Sequence, residues 1–336
     1  LIRHRNLVNL CTANEKNCYQ TSALLQDKAL LSTAKCCFDA FAIDYALFLL
    51  NGKTIVLADD SDLMDGTKLA DLAKKHNVEV LQSTPSAIKA LCTNDAYAKM
   101  LGRIKVLILA AEKFSSGLYG YLRTMTEAEL FNGYGPSETT VGVSIGKIDS
   151  EDIYIGKPIA NTQIYIVDKF LRPVPIGVIG ELCVAGAGVG AGYLNRPELT
   201  AERFVDNPFG DGKLYKTGDL AYWREDGNVV YVGRNDFQVK IHGLRIELEE
   251  IESAIYSVDG ILHAAVVVRE DKSGKPFICA FYAGDDSVDI EKIRVAIRKK
   301  LPRYMMPQSF QCLPQMPLMT NGKINRGLLP DVVLSQ

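Results

Sequence analysis

The sequence predicts an α/β fold, followed by a β-rich part and a small α+β part. Three changes of pattern along the chain indicate this. From residue 45 to about 112, short apolar runs alternate with helical segments. From about 153 to 233, short strands are broken by Gly, Pro and Asp, and beyond about 245 amphipathic helices flank apolar strands. Such changes in the residue pattern are typical of separate structural layers or domains.

The first region, residues 1–150, is predicted to be a partial α/β core of a large domain. The runs TIVLAD, VEVLQS and IKVLILAA are strand-like, and the polar segment KLADLAKKHN between the first two is helix-like. Continuous apolar strands separated by helices are typical of a mostly parallel sheet that is covered on both faces.

The second region, residues 151–235, is predicted to be a β-rich subdomain of the same large domain. Its strand-like runs are QIYIVD, GELCVAG, KLYKTGD, LAYW and NVVYVG. Short strands with frequent turn residues favour a smaller antiparallel sheet or a distorted barrel.

The third region, residues 236–336, is predicted to be a compact α+β domain. Leu248, Ile251 and Ile255 share one helical face, the runs AAVVVRE and FICAFYA read as strands, and residues 289–301 form a second amphipathic helix. The link to the preceding region is expected at residues 234–236.

Composition excludes several classes of protein. The chain has 336 residues, 47% of them hydrophobic and 23% charged, with a net charge of −2. No basic excess would attract nucleic acid or an anionic membrane, no apolar run reaches the length of a membrane span, and the start does not read as a signal peptide. The eight cysteines form no CxxC pair of a zinc site. We therefore expect a cytoplasmic protein that binds neither nucleic acid nor membrane.

The run FNGYGPSETTVG, residues 131–142, is predicted to be a loop because it holds too many turn formers for a helix or a strand. Hydroxyls, main-chain amides and the Glu138 carboxylate would lie together there, which suits a Mg²⁺–phosphate group. The alternative is an ordinary Gly-Pro turn that caps a helix.

Three further stretches carry polar groups, and each has a plain structural alternative. In YKTGDLAYW, a turn would present Asp219, whose carboxylate could accept hydrogen bonds from two ribose hydroxyls. In GRNDF, charges fall in the predicted link, and in NGKINRG, Lys323 lies on a turn. The glycine-rich run GAGVGAGYL does not follow the first strand of a βαβ unit, so we interpret it as a structural turn.

In this order, these stretches resemble the adenylate-forming superfamily, most closely the amino-acid-activating adenylation domains of nonribosomal peptide synthetases. The motifs that carry the resemblance are FDAFAID, NGYGPSETT, GELCVAGAGVGAGYLNRPELTAERF, YKTGDLAYW, GRNDFQVKIHGLRIELEEIE and NGKINRGLL. It implies the adenylate-forming fold: a partial αβα sheet domain with a small β-barrel-like subdomain, then a small mobile α+β lid domain. It also implies ATP-dependent conversion of an amino acid to aminoacyl-AMP, with transfer to the phosphopantetheine thiol of a peptidyl carrier protein.

The resemblance implies a role for each matched residue. ATP and Mg²⁺ are the expected cofactors, Lys323 the catalytic residue, Glu138 the metal ligand and Asp236 the hinge. Lys240 and Gly243 belong to the segment used in the thioester step. The residues expected at the nucleotide are Tyr134, which would stack on adenine, Ser137, Glu138, Asp219, Tyr231 and Arg234.

The resemblance also implies an amino-acid pocket, in which the Asp39 carboxylate pairs with the substrate ammonium. Gln82 is the neutral polar group of this pocket, and several other positions are small, so we expect a bulky side chain with a polar tip. The other pocket positions are Ala40, Ile43, Ile108, Ala110, Gly133, Val141 and Gly142.

One departure from the family pattern leaves alternatives open. The phosphate loop of the family should precede a segment like HRNLVNL, which here begins at His4. We expect the chain to be part of a longer polypeptide, rather than a truncated and impaired protein, and to adenylate poorly alone. The alternatives are an acyl-CoA or aryl-acid ligase of the same superfamily, against which Asp39 argues, and a nucleotide-binding fragment without turnover.

Overall fold

The computed structural model describes residues 1–12, 29–235, 238–241, 243–272, 274–285, 288–319 and 324–332. The chain divides into two compact units, Leu1–Asn235 (unit 1) and Asp236–Gln336 (unit 2). Each unit has its own apolar core.

The large sheet of unit 1 is mainly parallel. Within the described residues it has seven strands in the order β2-β1-β3-β4-β5-β6-β7, of which β1 to β5 are parallel and β6 and β7 are antiparallel additions. The strands are β1 (Ala29–Ser32), β2 (Ile55–Leu57), β3 (Val78–Ser83), β4 (Val106–Ala110), β5 (Glu129–Tyr134), β6 (Ser144–Lys147) and β7 (Lys157–Pro158).

The helices of unit 1 begin where the sequence supplies capping groups. Asp65, Thr84, Asn94 and Ser115 each accept hydrogen bonds from main-chain amides of the first turn of a helix, which satisfies donors that have no partner inside the helix. The helices are α1 (His4–Cys11), α2 (Ala40–Ala42), a π-helix (Ile43–Leu47), α3 (Phe48–Leu50), α4 (Gly66–Lys75), α5 (Pro85–Leu91), α6 (Asp95–Leu101), α7 (Ser116–Arg123) and a 3₁₀ turn (Ser137–Thr139).

Both faces of the sheet are covered, because successive side chains of a strand point to opposite faces. Leu31 belongs to the apolar cluster that includes side chains of α4 to α7. Leu30 belongs to the cluster on the other face, with side chains of α1 and of the π-helix. We call the continuous segment of residues 40–50, formed by α2, the π-helix and α3, the pocket helix.

One part of the loop predicted at residues 131–142 is a strand instead. The residues FNGY are the last four of β5, and each pairs with a residue of β6. A buried central strand tolerates Asn132 and Gly133, because main-chain hydrogen bonds on both sides stabilise it whatever its side chains. The turn itself begins only at Gly135.

The second sheet of unit 1 is antiparallel and five-stranded within the described residues. The separate strands predicted for KLYKTGD and LAYW are one strand, whose pairing with β9 is irregular between Lys216 and Leu220. This irregularity lets the chain pass the Thr217–Gly218 turn signal without ending the strand. The strands are β8 (Thr162–Val167), β9 (Gly180–Gly186), β10 (Phe204–Asp206), β11 (Lys213–Trp223) and β12 (Val229–Arg234), with α8 (Pro197–Arg203) before β10.

Unit 2 contains a hairpin and a three-stranded sheet with two helices. The apolar residues Ile251, Ile255, Ile293 and Ile297 of the helices are buried in one cluster with strand residues, as the helical periodicity predicts. The elements are β13 (Gln238–Ile241), β14 (Leu244–Glu247), α9 (Leu248–Tyr256), β15 (Ile261–Glu270), β16 (Pro276–Gly284), α10 (Ile290–Lys300), β17 (Ser309–Cys312), and 3₁₀ turns at Arg303–Met305 and Arg326–Leu328.

No helix among the described residues is both long enough and apolar enough to cross a bilayer.

Candidate functional site

Four predicted pocket residues meet at the carboxyl edge of the large sheet. Gln82 of β3 pairs with Ile108 of β4, and Ala110 of β4 pairs with Gly133 of β5. In parallel strands, paired residues lie side by side on one face of the sheet. The structure therefore brings these four positions onto one face of the sheet as two successive pairs, which we call the pocket row.

The pocket helix lies over this face of the sheet. Ile43 is buried in the same apolar cluster as Ile108, and Val141 packs against that cluster. Ala40 is half-buried at the start of the helix, and Gly142 is buried. Three apolar members of the predicted pocket, Ile43, Ile108 and Val141, thus pack together.

The pocket helix also contributes an acidic residue that the sequence analysis missed. Asp44 is 1% exposed, and its Oδ2 accepts a hydrogen bond of 2.7 Å from the Ser32 hydroxyl at the end of β1. Burial raises the pKa of the Asp44 carboxyl to about 7, although the Ser32 hydroxyl and the Ala34 amide partly oppose this rise. Only the periodicity of FDAFAIDYALF, which turns position 44 inwards, could have indicated a buried acid.

The turn that follows β5 has a tightly constrained main chain. A Cβ atom on Gly135 would lie 2.2 Å from the Val141 carbonyl oxygen, so only glycine fits there. Thr140 and Val141 both have positive φ angles, 66° and 65°. Such angles are unfavourable for β-branched residues and persist only where surrounding contacts impose them.

The glycine-rich run predicted to be structural holds this turn in place. The Thr140 hydroxyl donates to the Gly188 carbonyl at 2.6 Å, and the Gly190 amide donates to the Glu138 carbonyl at 2.8 Å. A Cβ atom on Gly190 would lie 3.0 Å from that same Glu138 oxygen, so glycine permits the close approach.

A direct hydrogen bond joins this turn to the pocket helix. The exposed Ser137 hydroxyl donates to the carboxylate of Asp39, the residue that precedes α2. The resemblance assigned these two residues to different ligands, phosphate and ammonium. The structure brings the two groups together, so their ligands would be neighbours.

Glu138 is the predicted metal ligand, and its side chain is buried at 8% exposure. Its Oε1 accepts a hydrogen bond of 2.7 Å from the Tyr193 hydroxyl. A carboxylate has capacity for further partners, and Mg²⁺ is often held by one or two carboxylates plus substrate phosphates. The donor set is therefore suitable for Mg²⁺. No cluster of three or more potential metal-ligating side chains occurs among the described residues.

Replacing Tyr193 with phenylalanine is expected to lower the free energy of unfolding of unit 1 by about 1.5 kcal/mol, because a half-buried hydrogen bond to the Glu138 carboxylate is lost. Denaturant titration followed by the fluorescence of Trp223, the single tryptophan, measures this. The control is Tyr45→Phe at a site 39% exposed, with an expected change within about 0.5 kcal/mol. Equal effects of both substitutions would contradict the role of the Tyr193 hydroxyl.

A second polar group is centred on Asp219 of β11, which is 5% exposed. The Tyr134 hydroxyl donates to Oδ2 at 2.5 Å, and the Arg234 guanidinium donates to Oδ1 at 2.7 Å. The ring of Tyr231 lies 6.2 Å from that of Tyr134. Burial first, and then the charge of Asp219, hold the pKa of Tyr134 well above its ordinary value. Four predicted nucleotide-site residues therefore form one cluster.

Thr217 organises this cluster, and sequence reasoning missed it. Its hydroxyl donates to the Leu182 carbonyl at 2.6 Å and accepts from the Asp219 amide at 2.9 Å. Its carbonyl accepts from Arg234 at 3.1 Å. The sequence predicts only a turn at Thr217 and Gly218, because the hydrogen bond from the Thr217 hydroxyl to Leu182 of β9 depends on tertiary structure.

The remaining predicted site residues belong to unit 2. Lys240 on β13 is exposed and pairs with Arg245 of β14, and Gly243 has a φ of +75° in the hairpin between these strands. The predicted catalytic Lys323 and hinge Asp236 lie outside the described residues.

Comparison with known proteins identifies relatives along nearly the whole chain. The family model described as AMP-binding enzyme matches residues 1–194, and the AMP-binding enzyme C-terminal domain matches residues 250–323. Tyrocidine synthase 3 of Brevibacillus parabrevis is 40% identical over 98% of this chain, and the match covers 5% of that protein. This chain therefore spans a small part of that relative.

Two solved structures extend the comparison. The structure of holo-PA1221, a nonribosomal peptide synthetase protein with adenylation and PCP domains bound to a vinylsulfonamide inhibitor, is 28% identical with a TM-score of 0.81; the match covers 96% of this chain and 55% of that one. Holo-AB3403, a four-domain nonribosomal peptide synthetase bound to AMP and glycine, is 32% identical with a TM-score of 0.64; the match covers all of this chain and 25% of that one. The predicted fold class and the resemblance to adenylation domains are confirmed.

Proposed function

This chain belongs to the AMP-binding enzyme family, and we propose that it serves ATP-dependent activation of an amino acid in nonribosomal peptide synthesis. The substrate carboxylate attacks the α-phosphorus of ATP, a new C–O–P linkage forms and pyrophosphate leaves. The phosphopantetheine thiol of a peptidyl carrier protein then attacks the acyl carbon, and AMP leaves. The support comes from relatives of which this chain spans only a part.

The observation that carries this proposal is the hydrogen bond between Ser137 and Asp39. It links the turn that would hold phosphate to the carboxylate that would pair with the ammonium group. An amino acid bound by Asp39 would have its own carboxylate a few atoms away from that ammonium, towards the phosphate turn. Such positioning contributes greatly to phosphoryl-type reactions, because little covalent chemistry is left to the protein.

On the nucleotide side, the Asp219 carboxylate, which Tyr134 and Arg234 hold in place, would accept hydrogen bonds from the ribose hydroxyls. Glu138 would hold Mg²⁺, which when bound would neutralise phosphate charge. Tyr193 would keep the Glu138 carboxylate oriented. The ring of Tyr134 would lie against adenine.

Unit 2 would supply the remaining groups. Lys323 would stabilise the negative charge that develops on the α-phosphate and the substrate carboxylate. Asp236 would act as the hinge, and the hairpin that carries Lys240 and Gly243 would serve the thioester step. For the substrate side chain, the row from Gln82 to Gly133 favours a bulky group with a polar tip.

The test is amino-acid-dependent ATP–pyrophosphate exchange by the polypeptide encoded in the complete reading frame that contains this chain. Asp39→Ala is expected to lower kcat/KM for the amino acid by about 100-fold, because the ammonium loses its charge partner. The KM for ATP should stay within about twofold. Asp71→Ala, an exposed position on α4 over the opposite face of the sheet, is the control with unchanged kinetics.

Four results would contradict the proposal or one of its parts. If no amino acid supports exchange, the proposed activity is wrong. If Asp39→Ala and Asp71→Ala have equal kinetics, the role assigned to Asp39 is wrong. Exchange that persists in Lys323→Ala would remove the assigned role of that lysine. A preference for glycine or aspartate would contradict the predicted preference for a bulky side chain with a polar tip.

A further inference from the structure

The most unusual polar group outside the roles assigned above is the carboxyl of Asp44. It lies on the π-helix, directly after the pocket residue Ile43. Its Oδ2 accepts from Ser32, and the Ala34 amide lies near enough to the carboxyl to lower its pKa, whereas Oδ1 is buried and makes no hydrogen bond within the described part of the chain. A buried polar atom without a partner costs about 1–3 kcal/mol, so its persistence calls for an explanation.

The position of Asp44 follows from the strand that holds it. Leu30 and Val80 pair and lie in the cluster on the pocket face, so Ser32 and Gln82, two residues further along each strand, also face that side. The Thr33 hydroxyl donates to the Gln82 carbonyl at 3.1 Å, which fixes the two strand ends together. Ser32 therefore continues the pocket row beyond Gln82.

Asp44 is thus attached to the end of the pocket row that the resemblance leaves unassigned. Its neighbour Ile43 shares an apolar cluster with Ile108. The polar groups at this end are the Gln82 amide, the Ser32 hydroxyl and the Asp44 carboxyl. The apolar side chains of Leu30, Ile43 and Val80 belong to one cluster on this face of the sheet.

A π-helix supplies a local reason for this arrangement. It occurs mostly as a single-turn bulge inside an α-helix, and such bulges are frequent at functional sites. Here the π-helix covers Ile43–Leu47, in which Ile43, Asp44, Ala46 and Leu47 are all buried. The bulge permits Asp44 to face the sheet together with the apolar residues.

We propose that Asp44 is a further specificity-determining residue, whose Oδ1 accepts a hydrogen bond from an N–H or O–H group at the tip of the substrate side chain. This inference rests on the proposed amino-acid-activating function and deepens it by naming the substrate class. Ser32 is the positioning residue, because its hydroxyl fixes Oδ2 and leaves Oδ1 for the ligand. The raised pKa of Asp44 fits a carboxyl that is buried among apolar side chains, because burial is the largest cause of the shift.

The experiment compares nearly isosteric amino acids in the pyrophosphate exchange reaction. The pairs are tyrosine with phenylalanine, glutamine with methionine and asparagine with leucine; only the first member of each has a donor at its tip. The wild-type polypeptide is expected to favour the donor member of its best pair at least tenfold in kcat/KM, because a buried acceptor discriminates strongly against a ligand that leaves it unpaired.

Asp44→Leu is expected to lower this ratio at least tenfold. Asp44→Asn, which keeps the shape, is expected to lower it as well. The Ser32 hydroxyl would bind the new carbonyl oxygen, and the amide would present NH₂ where the wild type presents Oδ1. The control is Ser83→Ala, a strand-end serine on the opposite face of the sheet, for which the ratio should not change.

The outcomes separate this inference from the function on which it rests. If no amino acid supports exchange in the wild type, the proposed function fails. If exchange occurs but the apolar member is preferred in every pair, the inference is wrong. It is also wrong if the well-folded Asp44→Asn variant slows both members equally, because that result would indicate a purely structural role.

Discussion

Replacing Asp219 with alanine is expected to lower the free energy of unfolding of unit 1 by about 3–5 kcal/mol. The side chains of Asp219 and Arg234 are 7% and 12% exposed, and they are in contact at 2.7 Å. The substitution leaves a buried guanidinium without its carboxylate, and it also removes the acceptor of the Tyr134 hydroxyl. Both losses lower the free energy of unfolding.

Trp223 provides the measurement, because it lies at the end of β11, the strand that carries Asp219. A denaturant titration followed by its fluorescence reports on unit 1. The control is Asp206→Ala, which removes an ion pair with Lys213 whose side chains are 95% and 52% exposed. Exposed pairs contribute less than about 1 kcal/mol. A similar effect of the two substitutions would contradict the structural importance of the Asp219 cluster.

Asp219→Ala should also raise the KM for ATP if the carboxylate binds ribose. Asp219→Asn separates the two contributions, because it preserves shape and one acceptor oxygen. We expect it to cost less stability than the alanine variant while still weakening ATP binding. A normal KM for ATP in a folded Asp219→Asn protein would place the role of Asp219 in stability alone.

The second large effect is a pH-dependent gain of stability in Asp44→Asn. The pKa of Asp44 is about 7 in the folded chain against a reference value of 3.8. Between these pH values the folded chain binds more protons than the unfolded chain, so this group makes the free energy of unfolding fall as pH rises. Asparagine does not titrate, so the free energy of unfolding of the Asp44→Asn variant does not fall for this reason. Its advantage over the wild type should grow by about 4 kcal/mol between pH 4 and pH 8.

Unfolding curves at pH 4, 6 and 8, followed by Trp223 fluorescence, measure this difference. Ser83→Ala changes no titratable group, so its difference from the wild type should stay constant over the same range. If the free energy of unfolding of Asp44→Asn differs from that of the wild type by the same amount at every pH, the Asp44 carboxyl is not buried in the protonated form. Binding of a donor-bearing amino acid should reduce the pH dependence of the wild type, because the ligand stabilises the carboxylate.

The sequence predicted well those features that depend on local pattern. Runs such as VEVLQS and IKVLILAA became buried parallel strands, because continuous apolar runs exclude water only when both faces of a sheet are covered. The amphipathic segments of unit 2 became α9 and α10 for the same reason. The resemblance then selected the residues of the candidate site, and the structure groups most of those it describes.

Predictions failed where neighbouring strands decide the local structure. The residues FNGY read as loop, yet they form the end of β5 because two neighbouring strands supply main-chain partners. The two runs of β11 read as separate strands. In the structure β9 pairs with residues on both sides of the turn-like Thr217–Gly218 pair, and β12 pairs with β11 from Asp219 onwards. Propensity is a weak guide wherever such long-range pairing is available.

The sequence by itself determined the layers of the fold and the identity of the chemical groups, since apolar periodicity and residue type are written in the chain. Only the tertiary structure decided which groups meet. Tyr134 and Asp219 are 85 residues apart, and Ser137 and Asp39 are 98 apart, yet each pair is hydrogen-bonded. The burial of Asp44 was decided in the same way, because a carboxyl loses its water only when the sheet and the pocket helix pack together.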